Sequence, residues 1–410
     1  MKRIILTVTL LLAGMAVFAQ DLSYFTREYE RADSSFAERL AVLETLQDVG
    51  VQATPEFYHN ALQLLLLKAP EISTRREQEA AEKSVVILAQ ALGAAKHSAA
   101  ATDLWHAAEF FDVIREGTVA PNAGHAQQAA LIALGDVDGR MYIPHIVQRL
   151  TDYNTQTFRQ TETRRRVQVA VIGCIKALET FKDISGYRPV FFALNGAYDA
   201  AVKNVASEAL PKITDDPADV IIEIIRDPSV LPPIKLVAWN EMVKSNAPNA
   251  SKAKVAAVAL EIGWLVQATT NPHQTALREM RKGAIEVIRQ YGASDETVYA
   301  DLEKSYSNNF ISNRPDYNEI AGALNALAAL KTDEAVALLH KFLFELHGRR
   351  RSGPWGNKER QLYEWVVSSI GFTETNNQEV RLLLATIQRS DQYTAQERNM
   401  ARDALAKLGN

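Results

Sequence analysis

The chain has 410 residues, of which 47% are hydrophobic and 23% are charged, and its formal net charge is −4. This is enough apolar material for a packed core, so the composition excludes a wholly disordered chain. The negative balance disfavours general nucleic-acid binding, which takes its affinity from the neutralisation of phosphates by Lys and Arg. The single cysteine, Cys174, excludes an internal disulfide.

The N-terminal segment has the three-part pattern of a cleaved secretory signal peptide. Lys2 and Arg3 give a positive start, residues 4–17 are almost uninterrupted apolar sequence, and Ala19 closes a small-residue cleavage site. We therefore expect residues 1–19 to be removed and the mature protein to be periplasmic or secreted; a buried first helix is the alternative. After this segment no apolar run reaches about 18 residues, so we expect no transmembrane segment after signal cleavage.

From residue 22 onward the apolar residues follow a helical period. In the segment 335–346, for example, they recur at i, i+3, i+4, i+7, i+8 and i+11, which is one face of a helix. Capping signals mark several helix starts. They are Thr54 before Pro55, Asp216 before Pro217, Thr74 with Glu77, and Thr394 with Glu397. Since almost nothing has the pattern of a strand, the sequence predicts an all-α fold.

The predicted helices come in pairs that resemble one another. Residues 126–150 contain an alanine-rich helix, an Asp-Gly turn and a second helix, and residues 205–225 and 320–346 repeat this plan. The first helices of the pairs are predicted to begin near residues 124, 163, 199, 232, 276, 316, 357 and 394. The interval is about 33–44 residues, close to that of helix-pair solenoids.

Through its Ala-x-x-Ala-Leu-x-x-Leu-Gly first helices, the chain resembles the HEAT repeat family in its short bacterial, lyase-type form. The segments 129–135 and 401–409 carry this pattern most clearly, and the resemblance covers about residues 124–409. It implies an α-solenoid of antiparallel helix pairs, a HEAT-like superhelix. Such arrays bury a continuous core between neighbouring pairs and use a long curved surface for binding.

The resemblance divides the chain into three parts. Residues 1–19 are the predicted signal peptide, and residues 121–410 are the predicted HEAT-like repeat array. Residues 20–120 are predicted to be an N-terminal helical region that matches the repeat pattern poorly. This region is either a set of divergent repeats or a cap, which solenoids need at an exposed apolar end.

The sequence contains no motif of a catalytic, cofactor or metal site. There is no HExxH, GxSxG, GxxxxGK or CxxC, and none of the eight histidines is followed by the glutamate that helical-repeat hydroxylases use for iron. His340 and His347 lie two helical turns apart, roughly 10 Å, which is too far for one metal ion. The pairing of His97 with His106 stays open. We expect no enzyme activity, no cofactor and no metal, and Cys174 to be a small buried hydrophobe.

One candidate for partner binding is the segment 347–360. It contains Arg349, Arg350, Arg351 and Trp355. The pattern predicts a loop of about ten residues between helices that end near His347 and restart near Asn357. Arg and Trp are enriched where binding energy concentrates, so this loop is predicted to contact a partner, with an anionic surface as its counterpart. In the alternative, Trp355 folds back on the neighbouring repeat.

A second candidate follows the long polar stretch 151–163. It consists of Arg164, Arg165 and Arg166. The alternative for such a run is a solvated helix end.

Together these patterns favour a non-catalytic exported HEAT-like scaffold that mediates protein–protein interaction in the cell envelope, with another envelope protein as its partner. The alternative is an envelope enzyme or carbohydrate-binding factor with its site in the solenoid groove. An enzyme should bring carboxylates or histidines together in one pocket, whereas a scaffold should present a broad groove with a polar rim.

Overall fold

The computed structural model describes residues 22–31, 33–49, 53–293, 295–312, 314–353 and 355–408. Within these ranges the regular elements are helices and there is no strand, which confirms the predicted all-α fold. None of the helices in these ranges combines the length and the apolar character needed to cross a membrane. The predicted signal peptide, 1–19, lies outside the described residues.

The chain forms two compact units that divide between Thr214 and Asp215. The helices of the first unit are α1 (22–30), α2 (Phe36–Asp48), α3 (Pro55–Lys68), α4 (Arg75–Ala94), α5 (Ala101–Phe110), α6 (His125–Asp136), α7 (Ile143–Thr155), α8 (Thr161–Phe181), α9 (Tyr187–Asn195) and α10 (Ala200–Ile213). Those of the second unit are α11 (Ala218–Arg226), α12 (Pro232–Lys244), α13 (Asn249–Leu265), α14 (Asn271–Tyr291), α15 (Thr297–Ile311), α16 (Tyr317–Leu330), α17 (Asp333–Ser352), α18 (Asn357–Thr373), α19 (Gln378–Arg389) and α20 (Ala395–Lys407).

The helix starts follow the local signals of the sequence. The predicted capping residues Thr54, Thr74 and Thr394 each accept a hydrogen bond from the backbone of their helix, and the last two form capping boxes. At α11 the prediction is wrong by one residue: Pro217 is the N-cap rather than the first helical residue, although Asp216 still accepts from the backbone of Ala218. Seven of the eight predicted first helices begin within two residues of the expected position. The exception is α14, which begins at Asn271 rather than near 276, because a proline is tolerated in the first turn of a helix.

Most helices pack against a neighbour in sequence and against the helix two places along. In the first unit the even-numbered helices α2 to α10 form one row, while α3 packs on α5 and α7 on α9. In the second unit α12 to α20 form the even-numbered row, and α11 to α19 form the odd-numbered row. Burying the apolar stripe of one helix therefore requires its neighbours on both sides.

Small residues allow a close approach of the even-numbered helices in the first unit. A Cβ atom added to Gly173 on α8 would lie 2.8 Å from the Cα atom of Gln128 on α6. Near the ends of α4 and α6, a Cβ atom on Gly93 would lie 3.2 Å from the Cα atom of Ala133. These helices run parallel, because their corresponding ends lie side by side, and at these points backbone touches backbone.

Several even-numbered helices end at a left-handed residue that is not glycine. These residues, with φ between 51° and 59°, are Lys96, Asp138, Lys182, Lys331 and Glu374. A residue with a Cβ atom pays roughly 1–2 kcal/mol in this conformation, so glycine is the usual residue there, and its absence leaves these helix ends without their usual sequence signal.

The single cysteine lies in the core of the first unit. Cys174 on α8 is fully buried, and this burial raises the pKa of its thiol to about 12. It packs as a small hydrophobe, as predicted.

Candidate functional site

The segment predicted to be a long loop is largely helical. Helix α17 continues through Arg349, Arg350 and Arg351 and ends at Ser352, so the prediction that the helix ends near His347 is wrong. The physical reason is that three cations in the last turn complement the negative end of the helix dipole. A short connection of residues 353–356 then leads to α18, and Pro354 within it lies outside the described residues.

The indole of Trp355 packs inward, against α18 and α20. Its Nε1 donates to Oε1 of Glu397 at 3.1 Å, and its ring lies edge-on to those of Tyr363 and Tyr393. The Arg350 guanidinium lies 4.8 Å from the centre of the indole, with Nη2 3.6 Å from Oε2 of Glu397. This arrangement corresponds to the alternative in which Trp355 folds back on its neighbours.

The other two arginines of this cluster differ in their contacts. Arg349 lies 4.2 Å above the ring of Phe310 and 3.6 Å from a carboxylate oxygen of Glu345. Arg351 is exposed, and burial together with the charge of Arg351 holds the pKa of His347 below its ordinary value. Partner binding at Arg349–Arg351 stays a prediction, and Arg351 is its most accessible member.

The cluster Arg164–Arg166 occupies the fourth to sixth positions of α8. Arg164 and Arg165 are exposed and Arg166 is half-buried. Arg164 and Arg166 donate hydrogen bonds to uncharged oxygens: Arg164 to the carbonyl of Phe158, and Arg166 to the carbonyl of Glu162 and the hydroxyl of Thr163. Among the residues that the structure describes, no carboxylate forms an ion pair with these three arginines.

The position of this cluster near the start of α8 gives its positive charge no compensation from the helix dipole. The N-terminal end of a helix carries a partial positive charge, which disfavours cations nearby. Helix α8 begins without a side-chain cap, and Glu162 is the one acidic residue in its first turn. In contrast to Arg349–Arg351, the cluster Arg164–Arg166 therefore keeps most of its positive charge available to solvent.

A surface depression of about 320 Å³ connects this cluster with the start of α4. Arg166 and Glu162 line it from α8, and Arg75 and Glu79 line it from α4. Glu79 is already bound, since its Oε1 lies 2.8 Å from Nε of Arg75. The rim of the depression is polar and carries charges of both signs.

A second depression, of about 490 Å³, lies in the second unit where α13 turns into α14. Trp264 and Arg281 form part of its wall. The guanidinium of Arg281 lies 3.9 Å from the centre of the indole, and its Nε and Nη2 donate to the two carboxylate oxygens of Glu319 at 2.7 and 3.0 Å. One face of the indole is thus covered, and the arginine is neutralised by a buried carboxylate.

The histidines pair differently from the possibility that the sequence left open. His97 lies against His59, with His97 Nε2 3.2 Å from His59 Nδ1, whereas His106 is exposed on α5. His59 Nε2 in turn lies 2.7 Å from Oδ2 of Asp103. Between 38 and 44 residues separate these partners in sequence, so no local spacing signals the cluster.

His340 and His347 contact different partners. Nδ1 of His340 lies 4.0 Å from Oε2 of Glu379, and Nδ1 of His347 lies within hydrogen-bond distance, 2.9 Å, of the hydroxyl oxygen of Tyr393. Within the described ranges no group of three or more His, Cys, Asp and Glu side chains is arranged to hold a metal ion.

Comparison with protein-family models and with curated proteins finds no match for this chain.

Proposed function

We propose that this chain is a non-catalytic, exported HEAT-like scaffold, an α-solenoid that holds or positions another protein in the cell envelope. Two features support the repeat architecture: the recurrent alanine-rich first helices of the sequence, and the packing of each helix pair on the next within each unit. The sequence pattern of residues 1–19 supports the exported address.

The observation that carries the proposal is the position of Arg164, Arg165 and Arg166. Three positive side chains stand beside the positive end of a helix without an ion pair among the described residues. These side chains lie in the second turn, so the repulsion from the helix end is weaker than the roughly 0.3–1 kcal/mol that applies in the first turn. Carboxylates of a partner offset this cost when they bind there, so we infer that the partner presents an acidic face and that the cluster contacts it.

The alternative function, an enzyme or carbohydrate-binding factor, would use the depression beside Trp264. We prefer the scaffold, because Arg281 is committed to Glu319 and covers one face of the indole that a sugar ring would otherwise use.

Crosslinking of the protein in its own cells, followed by mass spectrometry, tests the proposal. The variant with Arg164, Arg165 and Arg166 changed to glutamine should lose its crosslinked partner, while surface changes of this kind leave stability within about 0.5 kcal/mol. Association of the purified proteins should also weaken with added salt.

The matched control is the variant Arg349→Gln with Arg351→Gln, which leaves the packed Arg350 and Trp355 in place. If the contact lies on α8, as we propose, this variant keeps the partner, and the competing prediction of a contact at Arg349 and Arg351 is then wrong. Loss of the partner in this variant alone would move the contact to the end of α17, and the absence of any crosslinked partner of the wild-type protein would refute the scaffold.

A further inference from the structure

A chain of polar side chains joins two odd-numbered helices of the first unit. Asp103 belongs to α5, His59 to α3, and His97 to the connection between α4 and α5. The amide Nε2 of Gln63, one turn after His59, donates to Oδ2 of Asp103 at 3.0 Å. None of these residues belongs to the arginine surface proposed above, so the cluster has no part in the proposed partner contact.

The carboxylate of Asp103 determines which ring nitrogen of His59 carries the hydrogen. An ionised carboxylate only accepts hydrogen bonds, so Nε2 of His59 donates to it across 2.7 Å, and Nδ1 of the neutral ring keeps its lone pair. That lone pair points toward His97. A ring whose far nitrogen is held by a carboxylate has the arrangement that metal-binding histidines use to orient the ligand and raise its basicity.

The two facing nitrogens have the separation of two ligands of one metal ion. Two Zn–N bonds of about 2.0–2.1 Å that meet at a tetrahedral angle place their nitrogens about 3.3–3.4 Å apart. Nδ1 of His59 and Nε2 of His97 are 3.2 Å apart, and the rings are inclined by 68°. In this structure the two nitrogens share a hydrogen bond, so a metal ion would replace that hydrogen and both rings would turn toward a point beside the line that joins them.

The cluster is sheltered but reachable from solvent. The side chains of His59 and Asp103 are 15% and 20% exposed. Partial burial strengthens the interaction of a cation with the carboxylate behind the ligand, while the remaining exposure gives an entry path.

We propose that His59 and His97 bind a divalent transition-metal ion of the class that prefers imidazole, with Zn²⁺ as the probe and Asp103 as the outer carboxylate. On binding, the hydrogen of His97 Nε2 is replaced by the metal and the ring carries its hydrogen on Nδ1. Water or a donor from a partner completes the coordination, because the cluster supplies two ligands. The proposal departs from the expectation of no metal that the sequence gives.

The bound ion would link α3 to the segment that leads into α5. Ligands that bind the folded state alone stabilise it according to their concentration and affinity. We therefore expect Zn²⁺ to raise the melting temperature of the protein as well as to bind it.

Titration calorimetry of the untagged full chain with zinc chloride, after treatment with a chelator, tests the proposal. We expect one site per chain. His59→Ala and His97→Ala should each weaken binding at least tenfold, and Asp103→Asn should weaken it by about 10–100-fold. His106→Ala is the matched control, since this exposed histidine on α5 lies outside the cluster and its removal should change nothing.

Thermal melts with and without Zn²⁺ give the second readout. The upward shift should be present in the wild type and in His106→Ala, and absent in His97→Ala, whose substitution lies in a connection and spares the helices. If His59→Ala does not fold, the comparison of His97→Ala with His106→Ala shows whether His97 is needed for Zn²⁺ binding. The proposal is wrong if the wild type binds Zn²⁺ more weakly than about 1 mM, or if His97→Ala keeps the affinity and the shift.

Discussion

Replacement of Arg281 by methionine should destabilise the second unit by about 3–5 kcal/mol, because it leaves a buried carboxylate without its cation. The Glu319 side chain is fully buried, and Arg281 supplies both of its charged hydrogen bonds, at 2.7 and 3.0 Å. The same guanidinium donates to the carbonyl of Gly263 at 2.9 Å and lies over Trp264.

The unpaired charge dominates this magnitude. The hydrogen bond to Gly263 contributes about 0.5–1.5 kcal/mol, and methionine keeps much of the packing on the indole. For a unit of this size a loss of 1 kcal/mol lowers the melting temperature by about 2–4 °C. We therefore expect Arg281→Met to melt roughly 6–20 °C below the wild type in scanning calorimetry.

Two further variants separate the ion pair from packing. Arg281→Met combined with Glu319→Leu removes both partners, and this double variant should recover most of the loss, since apolar replacement of a buried pair is often neutral or stabilising. Arg278→Met is the control. Arg278 is exposed, and the nearest carboxylate oxygens, of Asp316 and Glu279, lie 3.8 and 3.9 Å from its Nε. A single variant within about 1 kcal/mol of the wild type, or a double variant no better than the single, would refute the reasoning.

Gly173→Ala should lower the stability of the first unit by about 1–3 kcal/mol in urea unfolding, because its Cβ atom would lie 2.8 Å from the backbone of Gln128. Gly348→Ala is the control, since its Cβ atom would meet nothing within 4 Å, and an equal loss in both variants would contradict the close approach. His347→Gln should lose less stability than the wild type as the pH falls below about 6.5. The folded state, through burial and Arg351, lowers the pKa of His347, so the unfolded chain takes up the proton first; identical pH profiles of the two melting temperatures would exclude this linkage.

The sequence predicts helix starts well because their signals are local. The capping box of Thr394 and Glu397 lies within four residues, and the periodicity of α17 is visible in its own segment. The end of α17 was not predictable in this way. Gly348 and Gly353 give the segment the composition of a loop, whereas the helix is held by contacts of Arg349 and Arg350 with residues more than thirty positions away.

The same limit applies to the candidate sites. A run of three arginines is visible in the sequence, but its availability depends on carboxylates that are distant in the chain. Glu397, which accepts the hydrogen bond of the Trp355 indole, lies 42 residues further along the chain. Among the described residues no carboxylate pairs with Arg164–Arg166 in this way. The approach of His59 to His97 likewise depends on how α3 packs on α5.

The left-handed residues at the ends of the even-numbered helices that are not glycine are all charged. Their signs alternate, with Lys96, Asp138 and Lys182 in the first unit and Lys331 and Glu374 in the second, where Nζ of Lys331 lies 2.8 Å from Oε2 of Glu374. Packed helices are about 8–10 Å apart, which is close to the Debye length at physiological salt, so neighbouring charges largely cancel beyond the surface. In the first unit the cluster Arg164–Arg166 lies at the opposite ends of the same parallel row. If the partner is acidic, as we propose, the positive charge of Arg164–Arg166 at that edge would attract it before contact.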